Sequence, residues 1–439
     1  MEIILKIIQV ILALSLLVLV HEFGHYIMAR IFGIKVEKFY LFFPPAIFKF
    51  KPKKSDTEFG IGCIPLGGFC KIAGMVDESL DTGSMSTPAK PWEFRSRPAW
   101  QRLLVMTGGI LMNLILAIII YTGLLAVFGE EYLKTDDAVY GIEPNGLASE
   151  MGFRSGDRVI AFDGDPAPEN FMDLQPELLR SQIKTVTVVR DGDTLGIGID
   201  PAYFPAMLNT PGMFGLRIPV AVGEIPDTSI NAGSELAPGD RLVMTGSTDI
   251  RFYPELQKAL DRLKGTTAGI TVERDGQLME IPLKVSNDGK IEVLLSGDIS
   301  DFHLTVKEYS LLTAIPAGTK KTFVTVGDYV KELGLIFKPG TEAYKSVGSF
   351  ITIGSVFPGS WNWQVFWNIT ALLSVMLAIL NLIPIPALDG GHILFTLYEM
   401  VTRRKPSVRF LETAQIIGMI FLFGLIILAF GNDIGRLLQ

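Results

Sequence analysis

Long apolar blocks alternate with mixed polar stretches along this chain. About 20 consecutive apolar residues cross the hydrocarbon core of a bilayer, and four blocks meet that length. They lie within residues 1–30, 103–128, 361–390 and 412–431. The second reads "LLVMTGGILMNLILAIIIYTGLLAVF" and the fourth contains "ETAQIIGMIFLFGLIILAF". The pattern predicts a multi-pass α-helical membrane protein with four transmembrane helices. The first block begins Met1-Glu2, without a basic leader or a small-x-small cleavage site, so it reads as a retained span.

Between the blocks the period changes. In residues 31–102 the stretch "FGIGCIPLGGFCKIAGM" (Phe59–Met75) alternates and carries Gly67-Gly68, which predicts β-structure, and it resembles a membrane-associated β-hairpin. Residues 129–305 contain a repeat. "MGFRSGDRVIAFDGDPA" (Met151–Ala167) is matched by "SELAPGDRLVMTGSTDI" (Ser234–Ile250), and "TVTVVRDGD" by "GITVERDGQ". The offset is 83 residues at Gly156/Gly239 and 84 at Arg190/Arg274. Nearly constant spacing predicts two tandem α+β modules, at 129–220 and 221–305. Residues 306–360 show partial helical periodicity interrupted at Pro316 and Gly318, which predicts short amphipathic helices at the membrane surface. Residues 391–411 read as a loop.

Charge orients the spans. Lys35, Lys38, Lys49, Lys51, Lys53, Lys54, Arg95, Arg97 and Arg102 crowd the 31–102 segment, and Arg403, Arg404, Lys405 and Arg409 the 391–411 loop. The positive-inside rule makes both cytoplasmic. Residues 129–355 hold 33 Asp and Glu against 21 Lys and Arg, so that segment and both termini face the other side. A formal net charge of −7 gives no footprint for nucleic acid. The two cysteines, Cys63 and Cys70, have neither a disulfide framework nor thiolate-metal spacing.

Chemistry interrupts the first block. His21-Glu22-Phe23-Gly24-His25 places two imidazoles at i and i+4, on one helix face. They can share one Zn²⁺, while Glu22 can take a proton from water. Ionisable groups at mid-span cost roughly 2.5–3.5 kcal/mol each even on the lenient insertion scale. Three together need a compensating ion. A catalytic zinc takes three protein ligands, and the third candidates are Asp389 and His392 in "NLIPIPALDGGHILF". The two prolines there predict irregular backbone lining a cavity.

The pattern Gly-Asp-Arg-[Val/Leu]-[Ile/Val] in each repeat resembles bacterial PDZ domains, which add an extended chain end to a sheet edge. "FGLRI" (Phe214–Ile218) is then a candidate carboxylate cradle. HEFGH in a first span together with "NLIPIPALDGG" (Asn381–Gly391) resembles the site-2 protease family of intramembrane metalloproteases. Within it, the tandem insert resembles the bacterial branch that regulates sigma-E. That resemblance covers the whole chain in order. It implies zinc held by His21, His25 and Asp389, Glu22 as the general base, and His392 outside the ligand set. It implies Asn381, Pro384 and Pro386 as substrate-handling positions. It also implies that the strand carrying Gly67, Gly68 and Phe69 pairs with an unwound substrate. The expected substrates are single-span membrane proteins, an anti-sigma factor first and remnant signal peptides second, in a bacterial inner membrane. The PDZ pair would be periplasmic and filter access or bind peptide C-termini. The competing reading is an inactive membrane scaffold that presents two PDZ domains. An intact Glu22 argues against it, because a structural metal site has no use for a base.

Overall fold

The computed structural model describes residues 1–75, 88–338 and 340–438. Residues 76–87 of the predicted 31–102 region therefore lie outside the described residues. In chain order, α1 (Glu2–Ile31) is followed by β1 (Val36–Phe50), β2 (Glu58–Ile72) and α2 (Ala99–Phe128). Next come β3 (Glu130–Leu133), β4 (Ile142–Pro144), α3 (Gly146–Glu150), β5 (Arg158–Phe162), β6 (Asp165–Pro166) and α4 (Leu174–Arg180). They lead to β7 (Thr185–Arg190), β8 (Asp193–Gly198), α5 (Phe204–Asn209), β9 (Phe214–Leu216) and β10 (Val220–Glu224). Then follow β11 (Arg241–Thr245), β12 (Thr248–Asp249), α6 (Tyr253–Arg262), β13 (Thr267–Arg274), β14 (Gln277–Lys284), β15 (Leu294–Gly297) and β16 (Leu304–Lys307). The chain closes with α7 (Leu311–Ile336), α8 (Phe350–Val356), α9 (Trp363–Leu382), α10 (Asp389–Thr402) and α11 (Val408–Leu437). It divides into two compact units, residues 131–306 and the remainder.

In the first unit α1, α2, α9 and α11 are long and apolar enough to cross a membrane. α2 is the hub. It packs against α1, α7, α9 and α10, and Met106, Ile110, Ala378 and Ile393 share its core. α11 is different: Gln415, Gly418, Ala429 and Asp433 are its buried residues.

Two sequence expectations change here. The predicted break at Pro316 and Gly318 does not occur, and α7 runs unbroken for 26 residues. Pro316 lies in its second turn and forgoes one backbone hydrogen bond, yet the helix continues past it. Gly318 serves contact instead of breakage: a Cβ there would lie 2.5 Å from Thr122 Oγ1 of α2. The predicted 391–411 loop is largely α10. Asp389 opens that helix in its first turn, where a carboxylate favours the positive end of the dipole.

The hairpin of β1 and β2 is folded back on itself. Lys38–Leu41 runs beside both Glu58–Ile61 and Gly68–Lys71, while Ala46–Phe50 pairs with Phe59–Gly62. Glycines permit the fold: a Cβ on Gly60 would lie 2.3 Å from the Tyr40 ring, and one on Gly62 would lie 2.1 Å from Phe43 O. Gly68–Ile72 becomes an outer segment of this sheet.

In the second unit the repeat is visible atom by atom. β4 pairs with β9, and β10 with β15. The β5–β7–β8 and β11–β13–β14 sheets correspond. Ile142 N–H donates to Asp157 O at 2.9 Å and Gly156 N–H returns to Ile142 O at 2.9 Å. Val222, Asp240 and Gly239 repeat that pair at 2.9 and 2.7 Å. Gly156 and Gly239 take φ of +91° and +93°, which a side chain would strain. Alternation buries Val186 and Val188 in β7, and Ala268, Ile270 and Val272 in β13. Each fully buried aliphatic side chain contributes about 1.5–3 kcal/mol relative to exposure.

Each module closes with a carboxylate–guanidinium clasp. Arg190 Nε donates to Asp157 Oδ1 at 2.7 Å, and Arg154 N–H to Asp157 Oδ2 at 2.8 Å. Arg274 Nε donates to Asp240 Oδ1 at 2.6 Å, and Ala237 N–H to Asp240 Oδ2 at 2.8 Å. At "FGLRI", Phe214–Leu216 is paired with β4, and the neighbouring Met213 N–H donates to Gln175 Oε1 at 2.9 Å.

Candidate metal centre

α1 runs unbroken through the HEFGH stretch, so the i, i+4 spacing brings the two imidazoles together as expected. Their ring centroids are 4.8 Å apart and the rings nearly perpendicular, at 83°. The two Nε2 atoms lie 3.2 Å apart. Asp389 Oδ2 is 3.2 Å from His21 Nε2 and 3.1 Å from His25 Nε2. The structure thus gathers His21, His25 and Asp389 in one cluster. His392, one turn further along α10, is outside it.

The residues fit a tetrahedral zinc. Bonds of 2.0–2.1 Å place neighbouring ligand atoms roughly 3.3 Å apart, close to the sides of this triangle. The donor set also fits by chemistry. Asp389 Oδ2 is buried with no hydrogen-bond partner, and both imidazoles are anchored through Nδ1. His25 Nδ1 donates to Val105 O at 2.9 Å, and the Asn113 amide lies 3.3 Å from His21 Nδ1. The Val105 contact puts the His25 proton on Nδ1 and leaves its Nε2 lone pair facing Asp389.

α2 supplies the backing. Val105, Gly109 and Asn113 recur every four residues and share the face that meets α1. A Cβ on Gly109 would lie 2.6 Å from both His21 Cε1 and His25 Nε2. One on Gly24 would lie 2.2 Å from Gly108 O. Small residues let two spans approach this closely. Sequence reasoning missed Gly24, Gly108, Gly109 and Asn113. The available signals were a Gly-Gly pair and one amide in an otherwise apolar run.

Asp389 is delivered by irregular backbone. α9 ends at Leu382, and residues 383–388 form the connection to α10. Ala387 takes φ of +86°, and its N–H donates to Gln415 Oε1 of α11 at 3.1 Å. A Cβ on Gly418 would meet Pro386 O, and one on Gly390 would lie 2.1 Å from Ile383 O. The glycines after Asp389 therefore let the loop fold over the start of its own helix. Asn381 is half-buried in the last turn of α9, with exposed Pro384 and half-buried Pro386 on the loop. Gln415 and Gly418, which buttress that loop, carried no sequence signal.

Glu22 faces the outer segment of the hairpin. A Cβ on Gly68 would lie 2.7 Å from Val18 Cγ1 and 3.7 Å from Glu22 Cγ. Phe69 stacks on Tyr40 at 5.2 Å, and a Cβ on Gly67 would lie 2.7 Å from the Phe43 ring. Gly67, Gly68 and Phe69 thus lie along the strand beside the HEFGH helix.

Known proteins are similar to this chain along nearly its whole length. A putative zinc metalloprotease of Xylella fastidiosa is 29% identical over 446 residues, covering 97% of each chain. Another, from Neisseria meningitidis, is 29% identical over 454 residues and 98% of each chain. The regulator of sigma-E protease of Salmonella typhimurium is 28% identical over 449 residues, covering 97% of this chain and 98% of its own. The profile of peptidase family M50 matches residues 9–425. The chain belongs to peptidase family M50, the site-2 protease family, and is a zinc metalloprotease.

Proposed function

We propose that this protein hydrolyses peptide bonds inside the transmembrane segments of single-span membrane proteins, with zinc held by His21, His25 and Asp389. The observation that carries this reading is the triangle of three donor atoms on α1 and α10, each side 3.1–3.2 Å. Bound there, zinc supplies a Lewis acid and lowers the pKa of an attacking water.

Glu22 sits beside His21 on the same helix and is the only carboxylate of the HEFGH stretch. It takes the proton from the attacking water and returns it to the leaving amine. A helical substrate hides its peptide bonds, so it must be extended before attack. The outer segment Gly68–Ile72 offers a strand edge beside Glu22 for that extended form. Asn381, Pro384 and Pro386, on the stretch that delivers Asp389, handle the substrate from the other side. The site lies among membrane-spanning helices because its scissile bonds do.

The two modules of residues 131–306 read as a PDZ pair on the periplasmic side of a bacterial inner membrane. The acidic balance of the segment and the basic flanks of the spans support that orientation. We assign them to filtering: they exclude substrates with bulky outer domains. Capture of a peptide C-terminus at "FGLRI" in the first module is the alternative role for the pair. An anti-sigma factor trimmed by another protease is the expected substrate, with remnant signal peptides as a second class. The test is cleavage of a single-span protein by the purified chain in detergent, with mass spectrometry of the products. The reading expects a cut within the span that a zinc chelator stops. A substrate with a folded outer domain should be cut only after residues 131–306 are deleted. Cuts confined to the flanking loops would overturn the intramembrane assignment.

A further inference from the structure

The row of α2 residues that carries Val105 and Gly109 continues to a polar side chain, Asn113. Asn113 is fully buried, at 0% exposure, in a helix whose neighbouring positions are apolar. Its amide reaches His21 Nδ1 at 3.3 Å. Its backbone carbonyl accepts from Ser374 Oγ of α9 at 2.8 Å, which fixes this turn of α2 between the two neighbouring spans.

The two ends of an amide exchange by half a turn about its last bond, so their identity follows from the partners. With nitrogen toward the ring, the amide presses a donor on Nδ1 and leaves Oδ1 buried without a partner. It would then require the His21 proton on Nε2, the atom aimed at Asp389 and His25. An imidazole that offers Nε2 to a cation must carry its proton on Nδ1 and needs an acceptor there. His25 has one in Val105 O. The equivalent for His21 is the amide oxygen of Asn113.

We infer that Asn113 is a positioning residue for His21: its amide oxygen accepts the Nδ1 proton, fixing the tautomer and ring plane that aim Nε2 at the metal. This rests on the reading of His21 as a ligand. Val105, Gly109 and Asn113 then act as one device on three successive turns. They anchor one imidazole, make room for both, and anchor the other.

The test uses the full chain in detergent, with Asn113→Leu, Asn113→Ala, Asn113→Asp and His21→Ala. Zinc affinity is read by competition with a chromophoric chelator, and ligand geometry by the visible spectrum of the cobalt-substituted protein. Loss of a partner to a ligating histidine typically lowers metal affinity about 10–100-fold. Asn113→Leu should fall in that range with altered cobalt bands. Asn113→Asp, which can only accept, should return to within a few-fold of wild type. Wild-type affinity and spectrum in Asn113→Leu would overturn the inference. Equal weakness of Asn113→Asp and Asn113→Leu would overturn the acceptor role. If Asn113→Leu fails to fold by circular dichroism, Asn113→Ala decides on the same criteria. Wild type lacking zinc that His21→Ala removes would instead defeat the site reading itself, and the inference with it.

Discussion

Asp389 and Asp157 are both carboxylates withdrawn from water, with side chains 15% and 0% exposed, and they are satisfied in opposite ways. Asp157 receives a guanidinium and a backbone amide, and Asp240 repeats that arrangement in the second module. Both oxygens of each clasped carboxylate have a donor. Asp389 Oδ2 faces two imidazole nitrogens, at 3.2 and 3.1 Å, in place of a guanidinium and a backbone amide. A buried charge without a partner is costly. The difference separates a carboxylate that closes a fold from one that waits for a cation.

The comparison predicts opposite phenotypes. Asp389→Asn should abolish stoichiometric zinc binding and lower cleavage by roughly 10³-fold or more, since it removes a metal ligand. With chelator present, its melting temperature should be no lower than that of wild type, because the native carboxylate is not clasped and its buried charge is costly. Zinc analysis, initial rates and thermal melts of the purified chain read all three.

Gly109→Ala probes the room kept for the imidazoles. Its methyl would lie 2.6 Å from His25 Nε2. It should cut activity by roughly 10²-fold, the loss expected when reacting groups shift by about 1 Å. Gly123→Ala, on the same helix with nothing within 4 Å, should retain wild-type activity. Equal loss in both would mean that α2 merely dislikes the extra methyl.

Asp157→Asn should leave zinc binding intact and destabilise its module by about 3 kcal/mol, the low end for breaking a buried pair. Hydrogen exchange at β5 and β7 in the full chain reports it. Asp240→Asn should cost less, because Arg274 is 33% exposed where Arg190 is 16%. The smallest effect is a pH dependence. The Arg241 guanidinium holds the Asp298 carboxyl down at about 2, against an ordinary 3.8. A depressed carboxylate contributes stability above its ordinary value and loses it as pH falls toward 2. Solvent screening limits this to about 1 kcal/mol. The protection factor at β15, exchange corrected for its intrinsic pH dependence, should therefore be flat from pH 7 to pH 4 and fall below, and Asp298→Asn should remove the fall.

Much of the centre was legible in the sequence because it depends on residue type at short spacing. The i, i+4 histidines, Glu22 and the Asp-Gly-Gly turn each announce their chemistry within five residues. The tandem modules were legible through their nearly constant offset. What escaped depends on which helices touch. Nothing local says that Gly109 must clear two imidazoles, or that Gln415 must hold the Ala387 amide, because those partners lie on other elements of the chain. Gly318 was misread for the same reason. A glycine weakens an isolated helix, yet here it lets α7 lie against Thr122. The hairpin reading of Phe59–Met75 missed the fold-back, which follows from where Tyr40 and Phe43 sit.

The central claim is that the cluster on α1 and α10 is a working zinc site with Glu22 as its base. The most direct measurement pairs zinc content with cleavage of a single-span substrate for wild type and Glu22→Gln. One zinc per chain is predicted in both, with cleavage inside the span in wild type alone. Cleavage by Glu22→Gln at the wild-type rate, or cleavage by wild type that persists with its zinc stripped, would contradict it.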